Sequence, residues 1–329
     1  MKKISIHIGL PKTATTYIQK TLSSQNSYLG LESKGGGCTE HLFSIFVKYS
    51  KGESVEKDLV EWWGQVNDYV DSYGASFPVV FSSEYFFSGD INGFPEFPFV
   101  SPSSSQDRLI IAEFLKFMSE VLSKEVMIGA VLTIRNQPEW LASKYAQASP
   151  CLFNAGQSDF EKRIKYFASS GNDLWCNWGR IVSEIDAAIG KNNVLVVCME
   201  DIDKDFFWND ISDFCFGSSA SLKLDAMPAS VNAKKVSNTE WGLRRFRPGS
   251  YLASRMCLIP GSFLYRLSRR FDNFLVKGGF IKKSKRQHVI SLSKSVIDNC
   301  ASSCGEGNSW LACRLEKKLE DLGYPMKVG

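Results

Sequence analysis

One stretch limits the possible folds of this chain more than any other: the run Val126–Ile134 is almost entirely apolar. A strand covered on one side alternates apolar and polar residues, whereas a strand inside a parallel sheet is apolar throughout because helices cover both faces. The run therefore predicts a buried parallel strand. A second run of the same kind, Val194–Cys198, predicts another.

Helical patterns separate the predicted strands. Apolar residues recur three or four positions apart over 54–73, 108–123 and 174–189, the period of a helix with one buried face. Asn136 predicts the N-cap of a further helix that begins near Pro138. Strands alternating with helices predict the α/β class, with a doubly wound parallel sheet and flanking helices. Two stretches are expected to be irregular, the glycine-rich Ser33–Cys38 and residues 92–106.

A polar loop follows the first predicted strand. Residues 3–8 alternate and end at Gly9, and a helix is expected over Thr15–Ser24. Backbone N–H groups at a helix start, together with hydroxyls and an ammonium group, suit an anion. An ordinary turn with a capping Thr is the alternative. The triphosphate motif Gly-x-x-x-x-Gly-Lys-Ser/Thr is absent from the loop, which reads Pro11-Lys12-Thr13-Ala14-Thr15-Thr16.

A second candidate anion site follows the strand Val126–Ile134. Arg135 stands at its end, where doubly wound sheets bind ligands, and Ser143 comes eight residues later. A guanidinium fork binds phosphate through two hydrogen bonds, and a serine hydroxyl adds a donor. The alternative is that Arg135 pairs with a surface carboxylate and Ser143 is an ordinary helix residue.

Together the two sites resemble the cofactor motifs of the cytosolic and Golgi-type sulfotransferases, over roughly residues 1–201. In that family the first motif reads like Pro-Lys-Ser/Thr-Gly-Thr-Thr, and the second has an Arg at a strand end with a Ser eight residues on. The resemblance implies a P-loop-like sulfotransferase fold. Ala14 stands where the family usually has Gly, and is expected to have helical dihedrals. The family's C-terminal Arg-Lys-Gly loop is not recognisable, and Asn232–Ser237, with Lys234 and Lys235, is a candidate replacement.

The resemblance also implies a cofactor and a division of roles. The donor would be 3′-phosphoadenosine 5′-phosphosulfate (PAPS), the product 3′,5′-adenosine bisphosphate (PAP), and no metal would take part. Lys12 would contact the 5′-phosphate and the bridging oxygen. The 3′-phosphate would be held by Arg135 and Ser143. The 5′-phosphate loop would comprise Thr13, Ala14, Thr15 and Thr16, and its three threonines would bind the phosphate.

The catalytic base is expected to be Glu84, which closes the short apolar run Val79–Phe81. The family's carbohydrate members commonly use Glu, so a glycan or glycolipid is the expected acceptor. The aromatic residues around Glu84 predict a pocket wall that stacks on the acceptor; they are Phe81, Tyr85, Phe86 and Phe87. A capping role or a pairing with Lys12 is the alternative for Glu84. Structural roles are expected for the three histidines, His7, His41 and His288.

Composition bears on the setting of the protein. Of 329 residues 44% are hydrophobic and 22% charged, which indicates a folded globular chain. No apolar run of membrane-spanning length occurs, and the first residues predict a strand rather than a leader. The nine cysteines are scattered, and Cys300, Cys304 and Cys313 do not have zinc spacing. Free thiols in a cytoplasmic enzyme are expected.

Positive charge is concentrated near the C-terminus. Residues 241–286 contain twelve Lys or Arg and a single acid, Asp272, in a chain whose net charge is +4. The expected division is a cofactor-binding core over 1–240 and a basic, mostly helical region over 241–329, packed on or inserted into the same domain. Contact with an anionic membrane face or an acidic acceptor is one interpretation of the charge. A solvated basic face is the other.

Two further functions remain open. A P-loop kinase acting on a small molecule would need an acidic strand end to hold magnesium, and Glu84 is the only candidate for that role in the sequence. A non-catalytic nucleotide-binding protein of the same fold would lack turnover. The presence of Lys12, Glu84, Arg135 and Ser143 together favours the sulfotransferase. No nucleic-acid partner is expected.

Overall fold

The structure, a computed structural model, describes residues 1–9, 13–23, 25, 27–30, 36–83, 86, 109–169, 176–217, 235–237, 239–255, 263–278 and 288–327. The described residues fall into two compact units. The first takes its residues from 1–91, 107–135 and 180–231, and the second from 136–179 and 232–329.

The first unit is built on a four-stranded sheet in which every strand is parallel to its neighbours. The strand order is β2-β1-β3-β4. Ile6 of β1 pairs with Phe81 of β2 and with Ala130 of β3. The strands are β1 (Lys2–Gly9), β2 (Val79–Ser83), β3 (Val126–Ile134) and β4 (Val194–Cys198). The two apolar runs are therefore neighbouring parallel strands, as predicted.

Helices pack on both faces of this sheet. Successive strand residues point to opposite sides, and β2, β3 and β4 carry apolar residues on both. On one face Val80 and Val131 pack with α1 (Thr15–Leu22) and α8 (Asp205–Phe216). On the other face the Phe81 ring lies 5.1 Å from the Trp62 ring of α3. The remaining helices of this unit are α2 (Gly36–Ser50), α3 (Glu56–Tyr73), α4 (Ile110–Val121) and most of α7 (Trp178–Ile189). The predicted α/β class with a parallel sheet is confirmed, in an arrangement compatible with double winding.

The second unit is mainly helical. Its first helix, α5, begins after Asn136, whose side chain accepts a hydrogen bond from the Glu139 N–H at 3.1 Å, as the cap prediction requires. Gln137 and Asn308 exchange amide hydrogen bonds of 2.7 and 3.0 Å, which tie α5 to α11. The helices are α5 (Gln137–Ala148), α6 (Gln157–Ser169), α9 (Pro248–Arg255), α10 (Phe263–Lys277) and α11 (Lys294–Leu315).

A small antiparallel sheet completes the second unit, with order β5-β6-β7. Its strands are β5 (Lys235–Ser237), β6 (Glu240–Gly242) and β7 (Val289–Ser291). The boundary expected after residue 240 stays a prediction. The helices expected in the basic region are present as α9 and α10.

The predicted loop Ser33–Cys38 is wrong for the three of its residues that the structure describes. Gly36, Gly37 and Cys38 open helix α2 instead of belonging to a loop. Tertiary contacts outweigh the low helix propensity of the glycines: the Trp62 indole N–H donates to the Cys38 carbonyl at 2.8 Å, and further along α2 the Phe46 ring packs 5.3 Å from that of Phe114. The other irregular prediction, 92–106, lies outside the described residues.

Two further findings concern the whole described part of the chain. Each of its cysteines is a free thiol, and Cys176 Sγ lies 3.2 Å from Cys304 Sγ. None of its helices has the length and apolar character needed to cross a membrane.

Candidate functional site

The order of the central sheet indicates where a ligand would bind. From β1 the chain passes to β2 on one side, and β3 is then added on the other side of β1. Open α/β sheets bind ligands beyond the carboxyl ends of the strands at such a reversal. Here the strands concerned are β1, which ends at Gly9, and β3, which ends at Ile134. The segments that follow these two residues carry the two predicted motifs.

Ala14 connects the first loop to its helix in a left-handed conformation. Its φ is 59° and its ψ 20°, so the expectation of helical dihedrals is wrong. The Ala14 carbonyl accepts hydrogen bonds from the Tyr17 and Ile18 N–H groups at 2.9 and 3.1 Å, which starts α1. The left-handed region costs a residue with a Cβ roughly 1–2 kcal/mol and costs glycine nothing comparable. The same cost would account for the preference for Gly at this position in the family that the loop resembles.

Close packing joins the end of β1 to the start of α1. A Cβ added to Gly9 would overlap the Cγ2 methyl of Thr15, so this approach requires glycine. Thr13 and Thr15 are buried, whereas Thr16 is exposed. The Thr16 hydroxyl is therefore accessible to a ligand in the structure as it stands. Ligand access to the other two hydroxyls would need a local adjustment.

Arg135 follows β3 directly and belongs to the same unit as the loop after β1. Its side chain is 4% exposed. Burying a guanidinium is costly unless anionic or polar groups surround it. A buried Arg at the carboxyl edge of a parallel sheet is suited to a doubly charged oxyanion such as a phosphate. Ligand access to its guanidinium, as to the hydroxyls of Thr13 and Thr15, would need a local adjustment.

Ser143 lies in α5, which belongs to the second unit. Its side chain is buried, as are those of its neighbours Lys144 and Tyr145. The Tyr145 hydroxyl donates to Asp159 Oδ2 at 2.7 Å. Burial and this hydrogen bond both raise the pKa of Tyr145, so the phenol stays protonated.

Both predicted catalytic residues, Lys12 and Glu84, lie outside the described residues. Glu84 comes directly after Ser83, the last residue of β2, which pairs with Ile8 near the end of β1. Of the candidate replacement loop Asn232–Ser237, the last three residues form β5 in the second unit, and Lys234 is outside the described part.

The aromatic wall expected around Glu84 is wrong for the two of its members that the structure describes. Phe81 and Phe86 are fully buried. Phe81 packs on Trp62, and the Phe86 ring lies 5.9 Å from that of Phe46. Both are core residues, so neither is available to stack on an acceptor.

Beneath the candidate site lies a buried polar cluster that the sequence analysis missed. His7 Nδ1 is 2.8 Å from Ser82 Oγ, and His7 Nε2 is 3.2 Å from Thr133 Oγ1. Gln19 of α1 donates to the same Ser82 hydroxyl at 3.1 Å. The imidazole thus links β1 to β2 and β3 just before their carboxyl ends. A polar residue near the end of each of three apolar strands was the available signal.

Burial controls the protonation of His7. Desolvation lowers its pKa to about 4, so the imidazole is neutral near pH 7 and has one donor and one acceptor nitrogen. A neutral imidazole between two hydroxyls can satisfy both with either tautomer. By contrast His41 is half-buried and contacts Gln65 Oε1 at 2.9 Å.

No family model matches the chain, and no curated protein matches its sequence significantly. Among the described residues no group of three His, Cys, Asp or Glu side chains is arranged to hold a metal ion. The interpretation of the site therefore depends on its own residues and on the resemblance of its two motifs.

Proposed function

We propose that the chain is a sulfotransferase with a P-loop-like sulfotransferase fold, which moves a sulfuryl group from PAPS to a hydroxyl or amine of an acceptor. The observation that carries this proposal is the position of the two motifs. The Thr13–Thr16 segment follows β1 and Arg135 follows β3, the strands at which the sheet order reverses. Two anion-binding segments at one ligand-binding edge suit a nucleotide with phosphates at both ends of its ribose.

The two phosphate groups of the donor would bind to different segments. The 5′-phosphate would accept hydrogen bonds at the start of α1, where the helix dipole favours negative charge. Arg135 would hold the 3′-phosphate through its guanidinium fork. The donor role expected of the Ser143 hydroxyl, which belongs to the other unit, stays a prediction. The Arg135 contact would distinguish PAPS from ATP, which lacks a 3′-phosphate.

Transfer would proceed in line. The acceptor oxygen attacks sulfur while the bond from sulfur to the bridging oxygen of the 5′-phosphate breaks, and PAP leaves with that electron pair. Lys12 would neutralise the charge that grows on the bridging oxygen, which stabilises the transition state more than the ground state. Glu84 would take the acceptor's proton.

The proposed acceptor is a glycan or glycolipid. The support for it is Glu84 as the expected base, because the carbohydrate members of the family that the motifs resemble commonly use Glu. A screen of acceptors with sulfur-labelled PAPS, read as radioactivity transferred, would test the class. Transfer to phenols but to no sugar would refute this choice of acceptor and leave the reaction type standing.

Nucleotide binding tests the function itself. Calorimetry should detect PAP binding that is unchanged by a metal chelator, and weaker or absent binding of ATP with magnesium. Tight binding of ATP that requires magnesium would identify a kinase instead. PAP binding with no transfer to any acceptor would favour a non-catalytic nucleotide-binding protein of the same fold.

A further inference from the structure

Helix α10 exposes its large apolar side chains. A helix advances about 100° per residue, so positions 263, 264, 267, 271 and 274 share one arc. These side chains are between 46% and 70% exposed, and they are Phe263, Leu264, Leu267, Phe271 and Phe274. An amphipathic helix of a water-soluble protein normally directs this face inward. Exposed apolar patches of this kind mark binding surfaces.

The side of α10 that carries Ser268 and Asp272 is fixed to α9. Asp272 is 1% exposed, and its two carboxylate oxygens accept hydrogen bonds from the Gly249 and Ser250 N–H groups at 2.7 and 2.9 Å. The Ser250 hydroxyl donates to it at 2.6 Å. Because a buried carboxylate without these partners would be costly, α10 cannot roll to bury its apolar arc.

Backbone packing reinforces this orientation. A Cβ added to Gly249 would overlap the Ser268 carbonyl oxygen, so α9 and α10 touch along their backbones. Ser268 and Asp272 are four residues apart and lie on the same side of α10. The outward direction of the apolar arc therefore follows from two independent contacts of the inner side.

Cations border the exposed apolar arc. Arg266, Arg270 and Lys277 occupy adjacent positions on one edge of it and are all exposed. The single acid of residues 241–286 is Asp272, which is turned inward. The outer surface of α10 consequently presents apolar and basic groups and no carboxylate of its own.

We propose that α10 is a membrane-surface helix that lies flat on an anionic lipid bilayer. Its apolar arc would enter the acyl boundary, and its three edge cations would meet lipid phosphates. The helix is about 22 Å long, too short to span a bilayer and long enough to lie in the interface. The three edge cations favour a lipid surface over an apolar groove of a partner protein, because such a groove would bury them without anionic partners. This proposal is independent of the proposed sulfotransferase activity.

Co-sedimentation of the full chain with vesicles tests the proposal. Vesicles of phosphatidylcholine mixed with phosphatidylglycerol should bind the protein at low salt and release it at high salt, and pure phosphatidylcholine should bind it much less. The Arg266→Gln/Arg270→Gln variant should bind roughly fivefold more weakly for each cation removed. The Leu267→Glu/Phe271→Glu variant should lose at least tenfold in affinity, roughly what two desolvated apolar side chains contribute.

A matched control is available on another helix. Val60 of α3 is 54% exposed, so Val60→Glu adds a carboxylate to an exposed apolar site of the first unit and should leave binding unchanged. Melting curves would establish that each variant is folded. If the Leu267→Glu/Phe271→Glu variant were unfolded, Phe263→Ser, at the most exposed position of the arc, would replace it, with an expected severalfold loss.

Three results would overturn the proposal. The first is an absence of salt-sensitive binding to anionic vesicles. The second is evidence that charge alone drives binding, which would be either vesicle binding that persists in the folded apolar-arc variant or equally strong binding to soluble polyglutamate. The third is a concentration-dependent dimer in sedimentation that the apolar-arc variant abolishes, which would assign the arc to a second copy of the chain.

Discussion

Replacing Ala14 by glycine should stabilise the protein. Ala14 holds a φ of 59° at the start of α1, a conformation that costs a residue with a Cβ roughly 1–2 kcal/mol. Glycine removes this strain but gives the unfolded chain more freedom, which offsets about 0.4–1 kcal/mol. The net expectation is a free energy of unfolding higher by about 0.5–1 kcal/mol.

Urea denaturation, read as the midpoint at a constant m-value, would measure the change. Ala187 provides a matched control, because it is exposed in the last turn of helix α7 of the same unit. Ala187→Gly should lower the free energy of unfolding by about 0.5–1 kcal/mol. A loss of stability in Ala14→Gly as large as in Ala187→Gly would mean that Ala14 is not left-handed, and the account of the loop would fail.

Three further outcomes are expected. Arg135→Ala should weaken PAP binding by about 2 kcal/mol or more in calorimetry. The control Arg180→Ala removes a surface ion pair with a glutamate and should leave PAP affinity unchanged. Equal PAP affinities of Arg135→Ala and the wild type would remove Arg135 from the site. Glu84→Gln should lower kcat roughly 100- to 10,000-fold with PAP affinity retained; near wild-type turnover would shift attention to His41. Folding lowers the pKa of His7 from 6.5 to about 4, so the unfolded chain binds the proton more readily. The free energy of unfolding should therefore be independent of His7 protonation above pH 6.5 and should fall by about 3 kcal/mol as the pH decreases toward 4. Denaturation at several pH values should find this slope in the wild type and not in His7→Asn.

Local patterns were sufficient for several parts of the fold. The buried strand Val126–Ile134, the Asn136 cap and the helices within the basic region each depend on neighbours in sequence, and each is present. An apolar run or a capping side chain has its effect over one or two turns, so its signal is complete within a short window. The position of the two motifs after parallel strands followed from the same windows.

Other features depended on residues distant in sequence. The left-handed turn at Ala14 follows from the packing of α1 on β1, and its residue type predicts the opposite. The partners of His7, Ser82 and Thr133, come from strands 75 and 126 residues further along the chain. The helix that begins at Gly36 is likewise held by a contact with Trp62.

The amino-acid sequence by itself determined the α/β class, the positions of the two predicted anion-binding motifs and the concentration of positive charge near the C-terminus. Only the tertiary structure decided which way the apolar arc of α10 points. A periodic pattern identifies an amphipathic helix but not which of its faces is buried. Here the outward direction follows from the hydrogen bonds that Asp272 accepts from Gly249 and Ser250, more than twenty residues earlier in the chain. A contact of that sequence separation leaves no periodic signal, so it had to be seen in three dimensions.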